Sequence, residues 1–242
     1  MIDRALLTRL AADYEITVSP EAAERLDVYA ELLAEWNQKM NLTAITDPYG
    51  MVLKHFVDSL TALSSMPEGP FSLIDVGTGA GFPGIPLAVL RPDMRLTLLD
   101  SLQKRLTFLD AVTSALGIPC TLVHARAEDA AQKAEYREKF DVATARAVAA
   151  LPVLSEYCLP FVKVGGRFVA MKGREAENEI AASRGAIKLL GGRIQQTKQL
   201  LLPLQPAIDE ESYERYILCV QKESPTPAKY PRSSAKIAKT PL

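Results

Sequence analysis

The chain has 242 residues, 48% of them hydrophobic and 24% charged, with a formal net charge of −1. That length holds one sizeable α/β domain with a small appendage, or two small domains, and suffices for a core without disulfides or metals. A near-neutral balance excludes a global basic field as the reason to bind nucleic acid, and three scattered cysteines, Cys120, Cys158 and Cys219, argue against a disulfide framework or zinc ribbon and suit a reducing compartment.

Met1 to Leu10 carries Asp3, Arg4 and Arg9 and has no apolar run of signal-peptide length. No window approaches the ~18 apolar residues of a membrane span, so a cytoplasmic protein with no membrane contact is expected. The first ~60 residues read as helical. Ser19-Pro20 is a cap with proline at the first helical position, followed by an apolar face at Leu26, Tyr29, Ala30, Leu33 and Trp36. A polar stretch from Asn37 to Pro48 leads to a second helical run through Val52, His55, Phe56, Ser59 and Leu60. The turn chemistry of Met66-Pro67-Glu68-Gly69-Pro70 marks a boundary. It divides a helical extension (1–66) from a main domain (67–223) and a basic tail (224–242).

Beyond that boundary the rhythm alternates. Strand-like runs fall at Phe71–Val76, Arg95–Leu99, Thr121–Val123, Phe140–Ala143 and Arg167–Met171. Helical patterns at Pro86–Leu90, Leu102–Leu116, Glu128–Lys139, Leu151–Val162 and Glu175–Leu190 separate or follow them. The alternation predicts an α/β, Rossmann-like, doubly wound parallel sheet. Two further runs, Ile194–Leu202 and Tyr216–Val220, predict an antiparallel hairpin at the sheet edge. A sheet ended in that way is the usual shape of class I methyltransferases rather than of dehydrogenases. The tail from Ser224 onward has no acidic residue but carries Lys229, Arg232, Lys236 and Lys239. It reads either as a solvated end or as an arm that contacts phosphate.

The sharpest motif is Asp75-Val76-Gly77-Thr78-Gly79-Ala80-Gly81-Phe82-Pro83-Gly84, directly after the first strand. Gly77, Gly79 and Gly81 let the backbone turn tightly and approach a ligand with no Cβ in the way. A dinucleotide site typically spaces its glycines G-x-G-x-x-G; the spacing here and the acid before it favour S-adenosylmethionine, whose ammonium group suits carbonyls and an acid near the strand end. Asp100 ends the second strand, where a carboxylate can accept ribose hydroxyls or cap the next helix. Ala127-Glu128, after the third strand, borders the place for adenine or caps a helix. His124 has no metal-ligand neighbour, and no metal is expected.

Taken together, Trp36-Asn37-Gln38-Lys39-Met40-Asn41-Leu42-Thr43-Ala44-Ile45, Lys54-His55-Phe56-Val57-Asp58-Ser59, the glycine loop through Pro86, Leu99-Asp100-Ser101 with Lys104-Arg105, Ala127-Glu128, Ala145-Arg146-Ala147, Met171-Lys172-Gly173 and Lys229-Tyr230-Pro231-Arg232 resemble the bacterial 16S rRNA guanine-N7 methyltransferase family, also called glucose-inhibited division protein B. The resemblance spans nearly the whole chain. It departs at Ser233 to Ala238, where the family usually carries glycine and proline. It implies methyl transfer to N7 of the guanine at position 527 of 16S rRNA, in the 530 loop, with 16S rRNA or the small ribosomal subunit as partner. It places cofactor contacts on Gly77, Phe82, Ala127, Glu128 and Arg146. N7 of guanine carries no proton at neutral pH, so no catalytic base is expected.

Arg146 suits the methionine carboxylate, an RNA phosphate or guanine O6, with a structural ion pair as the plainer role. Lys172, Lys229 and Arg232 are the candidate RNA contacts, and a monomer is expected. A small-molecule methyltransferase would leave the N-terminal signature and basic tail unexplained. An NAD-dependent oxidoreductase would need a proton-relay group absent between Val148 and Val162. A non-catalytic RNA-binding module is disfavoured by the intact glycine loop.

Overall fold

Two carboxyl and hydroxyl caps start the chain. Asp3 accepts from the Leu6 amide to open α1 (Arg4–Ala12), and Ser19 accepts from the Ala22 amide to open α2 (Pro20–Met40). α2 stops at Asn41, whose left-handed backbone (φ 50) turns the chain. A second helical stretch joins α3 (Pro48–Gly50), a π-helical segment (Met51–Val57) and α4 (Asp58–Leu60). The computed structural model describes residues 1–203 and 213–242.

The sheet follows in the order β3-β2-β1-β4-β5-β7-β6. β1 (Phe71–Val76), β2 (Met94–Asp100), β3 (Cys120–His124), β4 (Phe140–Arg146) and β5 (Val162–Lys172) run parallel. β1 is almost wholly buried, as a central strand with helices on both faces must be, and its run is apolar but for Ser72 and Asp75. β7 (Tyr213–Lys222) inserts antiparallel between β5 and β6 (Gly192–Leu202), which makes the expected hairpin. The fold is thus the expected α/β, Rossmann-like, doubly wound class with an antiparallel terminal hairpin.

The strand order reverses between β1 and β4. The next connections leave the sheet on opposite faces there, which opens a crevice outside the carboxyl ends. One face is covered by α1, α2, the π-helical segment, α5 (Gly84–Leu90) and α6 (Gln103–Ala115), all in one apolar cluster with the sheet. The other carries α7 (Ala127–Ala130), α8 (Leu151–Cys158), α9 (Ala176–Leu189) and Tyr230 from the tail. Among the described residues, no helix is long and apolar enough to cross a membrane.

Two expectations are corrected. The helix foreseen over 128–139 stops at Ala130. Glu138 and Lys139 amides are taken by the Pro160 and Phe161 carbonyls, and Glu138 adopts φ 53, so tertiary hydrogen bonds override good helix-forming residues. The tail is not a solvated end: Thr226, Tyr230 and Ile237 are buried and α10 (Ser234–Lys239) packs against α8.

Candidate functional site

A cleft of about 600 Å³ opens at the carboxyl ends of β1 to β4. Its floor is the loop that the glycines shape. Gly77, Gly79 and Gly81 have φ of 69°, 62° and 100°, a region that residues with a Cβ rarely enter. The Gly77 and Thr78 amides donate to the Leu99 carbonyl at 2.8 and 3.1 Å, which ties the loop to β2. Asp75 Oδ2 accepts from Thr78 Oγ1 (2.8 Å) and the Gly84 amide (2.9 Å), and so staples the loop from behind.

Asp75 is fully buried and is not among the cleft-lining residues, so the expected pairing of this acid with a ligand ammonium gives way to a structural role. Burial pushes its carboxyl up to about 6, although the Thr78 and Gly84 hydrogen bonds and Arg146 pull it down. Its Oδ1 has no hydrogen-bond partner.

A Cβ built on Gly77 would lie 2.9 Å from Val148 Cγ2, and one on Gly81 would lie 2.6 Å from Ile85 Cδ1 and 2.7 Å from the Tyr29 hydroxyl. At Gly79 it would meet nothing within 4 Å. Gly79 therefore borders open space that a ligand can fill. Asp100 closes the β2 side: Oδ2 accepts from the Gly79 amide (3.0 Å), Oδ1 from the Leu102 amide (2.9 Å), and Arg105 Nη1 sits 3.2 Å from Oδ2. The carboxylate thus holds the backbone just before α6, clamps the loop and lines the cleft. Ala127 and Glu128, at the start of α7, line it beyond Asp100.

Opposite them stands Arg146, at the end of β4. Its Nη1 donates to the Lys54 carbonyl (2.8 Å) and to Asp58 Oδ2 (2.9 Å), and its guanidinium lies 4.9 Å from the Phe82 ring centroid. Asp58, itself buried, also accepts from Arg215 Nε at 2.7 Å. His55 stacks on Phe82 with centroids 4.4 Å apart and rings 7° from parallel. Its Nε2 is 2.8 Å from Thr43 Oγ1, and its Nδ1 is 3.4 Å from Arg146 Nη2. One neutral tautomer satisfies both contacts: Nε2–H donates to Thr43, and Nδ1 accepts from Arg146. Burial, reinforced by the Arg146 charge, lowers the imidazole to about 3.

These contacts give the N-terminal signature a physical reading. Asn37 grips Thr43 through its carbonyl oxygen and its amide group, Thr43 meets His55, and His55 meets Phe82 and Arg146. Tyr29, which reads as plain core from its helical spacing, donates to the Ala80 carbonyl and stacks on Phe82 at 5.2 Å. In the sequence His55 stands only on a helical run, and Tyr29, Thr43 and Asp58 are not singled out for a role. The Asn37–Thr43 and Lys54–Ser59 segments signalled Thr43, His55 and Asp58 through the resemblance, and nothing beyond its helical face signalled Tyr29.

The expected RNA contacts are placed differently. Lys172 is 8% exposed, and its ammonium is committed to Glu179 (2.7 Å) and the Ala149 carbonyl (2.8 Å). Arg232 gives its backbone amide, Nε and Nη2 to the carboxylate of buried Glu156. Each of these two charges thus already has a carboxylate partner in the fold. Lys229 is exposed, with its ammonium 5.2 Å from the Tyr230 ring centroid. Arg126, also exposed, lines the cleft beside Ser234 and Tyr157.

Comparison with known proteins agrees with this geometry. Residues 22–206 match the family profile of rRNA small subunit methyltransferase G. A protein of Acetivibrio thermocellus named ribosomal RNA small subunit methyltransferase G is 46% identical over 240 residues, covering 99% of this chain and 96% of its own. One of Halalkalibacterium halodurans with the same name is 49% identical over 228 residues, 93% of each chain. Among solved structures, M. jannaschii TYW2 in complex with AdoMet aligns over 69% of this chain and 76% of its own, with a TM-score of 0.54 at 11% identity. A precorrin-6y C5,15-methyltransferase of Geobacter metallireducens aligns over 69% and 88%, with a TM-score of 0.53 at 16% identity. Those two likenesses concern the fold alone.

Proposed function

We propose that this chain, which belongs to the rRNA small subunit methyltransferase G family, transfers a methyl group from S-adenosylmethionine to N7 of guanine 527 of 16S rRNA, in the 530 loop. The observation that carries the cofactor reading is the cleft at the switch point, bordered at once by the open side of Gly79, by Asp100 and by Arg146. S-adenosylmethionine supplies an activated methyl on a positively charged sulfur. Gly77, Gly79, Gly81 and Phe82 form the backbone and ring surface against it, Asp100 suits its ribose hydroxyls, and Ala127 and Glu128 border its adenine. The Arg146 fork, held by Asp58 and the Lys54 carbonyl, suits the methionine carboxylate or guanine O6.

Guanine N7 offers an in-plane lone pair and no proton, so the displacement needs no general base. His55 fits that requirement, because both its ring nitrogens are engaged and burial keeps it unprotonated. What remains is positioning of the base in line with the methyl, and a site whose nearby cation is offset by Asp58 as the guanine gains charge. RNA phosphates then fall to exposed cations: Arg126 in the cleft lining, Lys104 beside cleft-lining Arg105, and Lys229 and Lys236 of the tail. In this reading the protein works in the cytoplasm as a monomer, without a metal.

The test incubates the purified chain with methyl-labelled S-adenosylmethionine and 16S rRNA from cells lacking the modification. Label should enter the rRNA, and its absence would sink the reading. Asp100→Ala should weaken S-adenosylmethionine by about 1.5–3 kcal/mol in calorimetry, as expected for a lost charged hydrogen-bond partner. An analogue lacking the ribose hydroxyls should lose much less. Equal losses would leave Asp100 as a loop clamp only.

A further inference from the structure

The tail is held more firmly than a charged terminus needs to be. Arg137, from the segment that failed to become a helix, donates to the Tyr230 and Thr226 carbonyls, both at 2.8 Å, and to that of Pro227 at 3.3 Å. Gln132 donates to the Pro231 carbonyl at 2.7 Å, and Glu138 accepts from the Thr226 amide at 2.7 Å. The strongest fastening is Glu156 on α8, whose carboxylate is 0% exposed. It accepts from the Arg232 amide (2.8 Å), Nε (2.9 Å) and Nη2 (2.7 Å). A buried carboxylate is tolerated only when paired in this manner, so the clamp fixes where the chain goes next. Two residues on it reaches Ser234, which lines the cleft with Arg126, Ala127, Glu128 and Tyr157. Ser234 Oγ is 3.5 Å from Arg126 Nη1, and Ile237 anchors α10 with no exposed surface.

We propose that the C-terminal segment is the adenine-side wall of the cofactor cleft, with Ser234 as a binding residue and Glu156–Arg232 as the positioning pair that holds it there. The inference rests on the S-adenosylmethionine reading of the cleft. With the ribose at Asp100, the part of the cleft lined by Ala127, Glu128 and Ser234 lies past the end of β3, away from Arg146. That part suits adenine, whose edge offers both donors and acceptors to a hydroxyl. The tail then serves the cofactor first.

The experiment uses the full chain in a Cys120→Ala background, since Cys158 and Cys219 are buried. Ser234→Cys should react with a maleimide about tenfold more slowly when S-adenosylhomocysteine is bound, while exposed Ser233→Cys reacts equally with and without it. Arg232→Ala should weaken S-adenosylhomocysteine about tenfold in calorimetry, the scale of one lost ligand contact, yet leave rRNA affinity of the saturated enzyme within about twofold. Arg232→Lys should recover part of the loss, because it restores the charge without the fork. Equal modification of Ser234→Cys in both states overturns the proposal even if Arg232→Ala folds poorly. So does rRNA affinity that falls in Arg232→Ala while S-adenosylhomocysteine affinity stays, which would return the segment to RNA. If the wild-type chain fails to bind S-adenosylhomocysteine at all, the cofactor reading falls and takes this inference with it.

Discussion

Gly79 and Gly81 stand two residues apart in one loop, yet a methyl group added to each meets different surroundings. At Gly81 it strikes Ile85 and the Tyr29 hydroxyl inside the core; at Gly79 it enters open cleft. Gly81→Ala should therefore lower stability by about 2 kcal/mol or more, from backbone strain and overpacking together. Gly79→Ala should cost about 1 kcal/mol for the left-handed backbone alone and show its main effect in cofactor affinity. Chemical denaturation and calorimetry on the two variants separate the losses, and the reverse pattern would place the ligand elsewhere. Gly77 is a poorer probe, because a side chain there collides with Val148 of the same chain.

His55 gives a pH dependence with a definite sign. Its folded value of about 3 lies below the ordinary 6.5, so between those values the unfolded chain takes up a proton that the folded chain does not. Its contribution is complete above about pH 6.5 and is lost as pH falls, by at most about 1.4 kcal/mol per pH unit. Asp75 runs the other way: burial raises it to about 6, so its contribution is complete below the ordinary 3.8 and is lost as pH rises through 6. The two oppose each other between about pH 4 and 6. In His55→Phe the opposition is gone, and stability relative to wild type should rise as pH is lowered from 6.5 to 5. Parallel stability curves for the two proteins would show the imidazole to be freely protonated in the fold.

At the scale of elements, the helical stretch from Pro48 to Leu60 joins the N-terminal helices to the sheet through Asp58. Its carboxylate pairs with Arg146 of β4 and Arg215 of β7, and all three side chains are largely buried. Asp58→Ala should cost about 3–5 kcal/mol, since it strands two guanidinium groups. Adding Arg215→Met should recover part of that loss in denaturation curves. A purely additive double mutant would show that the carboxylate does not couple them. This junction was illegible in the sequence because its partners lie 88 and 157 positions apart. The glycine loop and Asp100 were legible because their geometry is local: φ-permissive residues and a short cap. The 131–139 segment misled for the converse reason. Its Ala, Gln, Lys and Glu residues favour a helix locally, but its backbone and Arg137 are claimed by α8's end and the tail.

For the whole molecule, alternation of apolar runs sufficed to expect the parallel sheet and its terminal hairpin, because buried strands and covering helices impose different periods. It did not show that the two appendages serve opposite ends of one cleft. The N-terminal segment lines it through Thr43 and His55, with Tyr29 behind holding the Ala80 carbonyl, and the tail lines it through Ser234. Nor did charge alone show that Lys172 and Arg232, read as RNA contacts, each pair with a carboxylate in the fold.

The most direct measurement is to map the methyl group. Small-subunit rRNA from cells lacking this chain, treated with the purified protein and S-adenosylmethionine, is digested and sequenced by mass spectrometry, with Gly79→Ala as the control of impaired cofactor binding. The account predicts N7-methylguanosine at position 527 and nowhere else, with much less formed by Gly79→Ala. A methyl group on an exocyclic amine, or at another nucleotide, would contradict it.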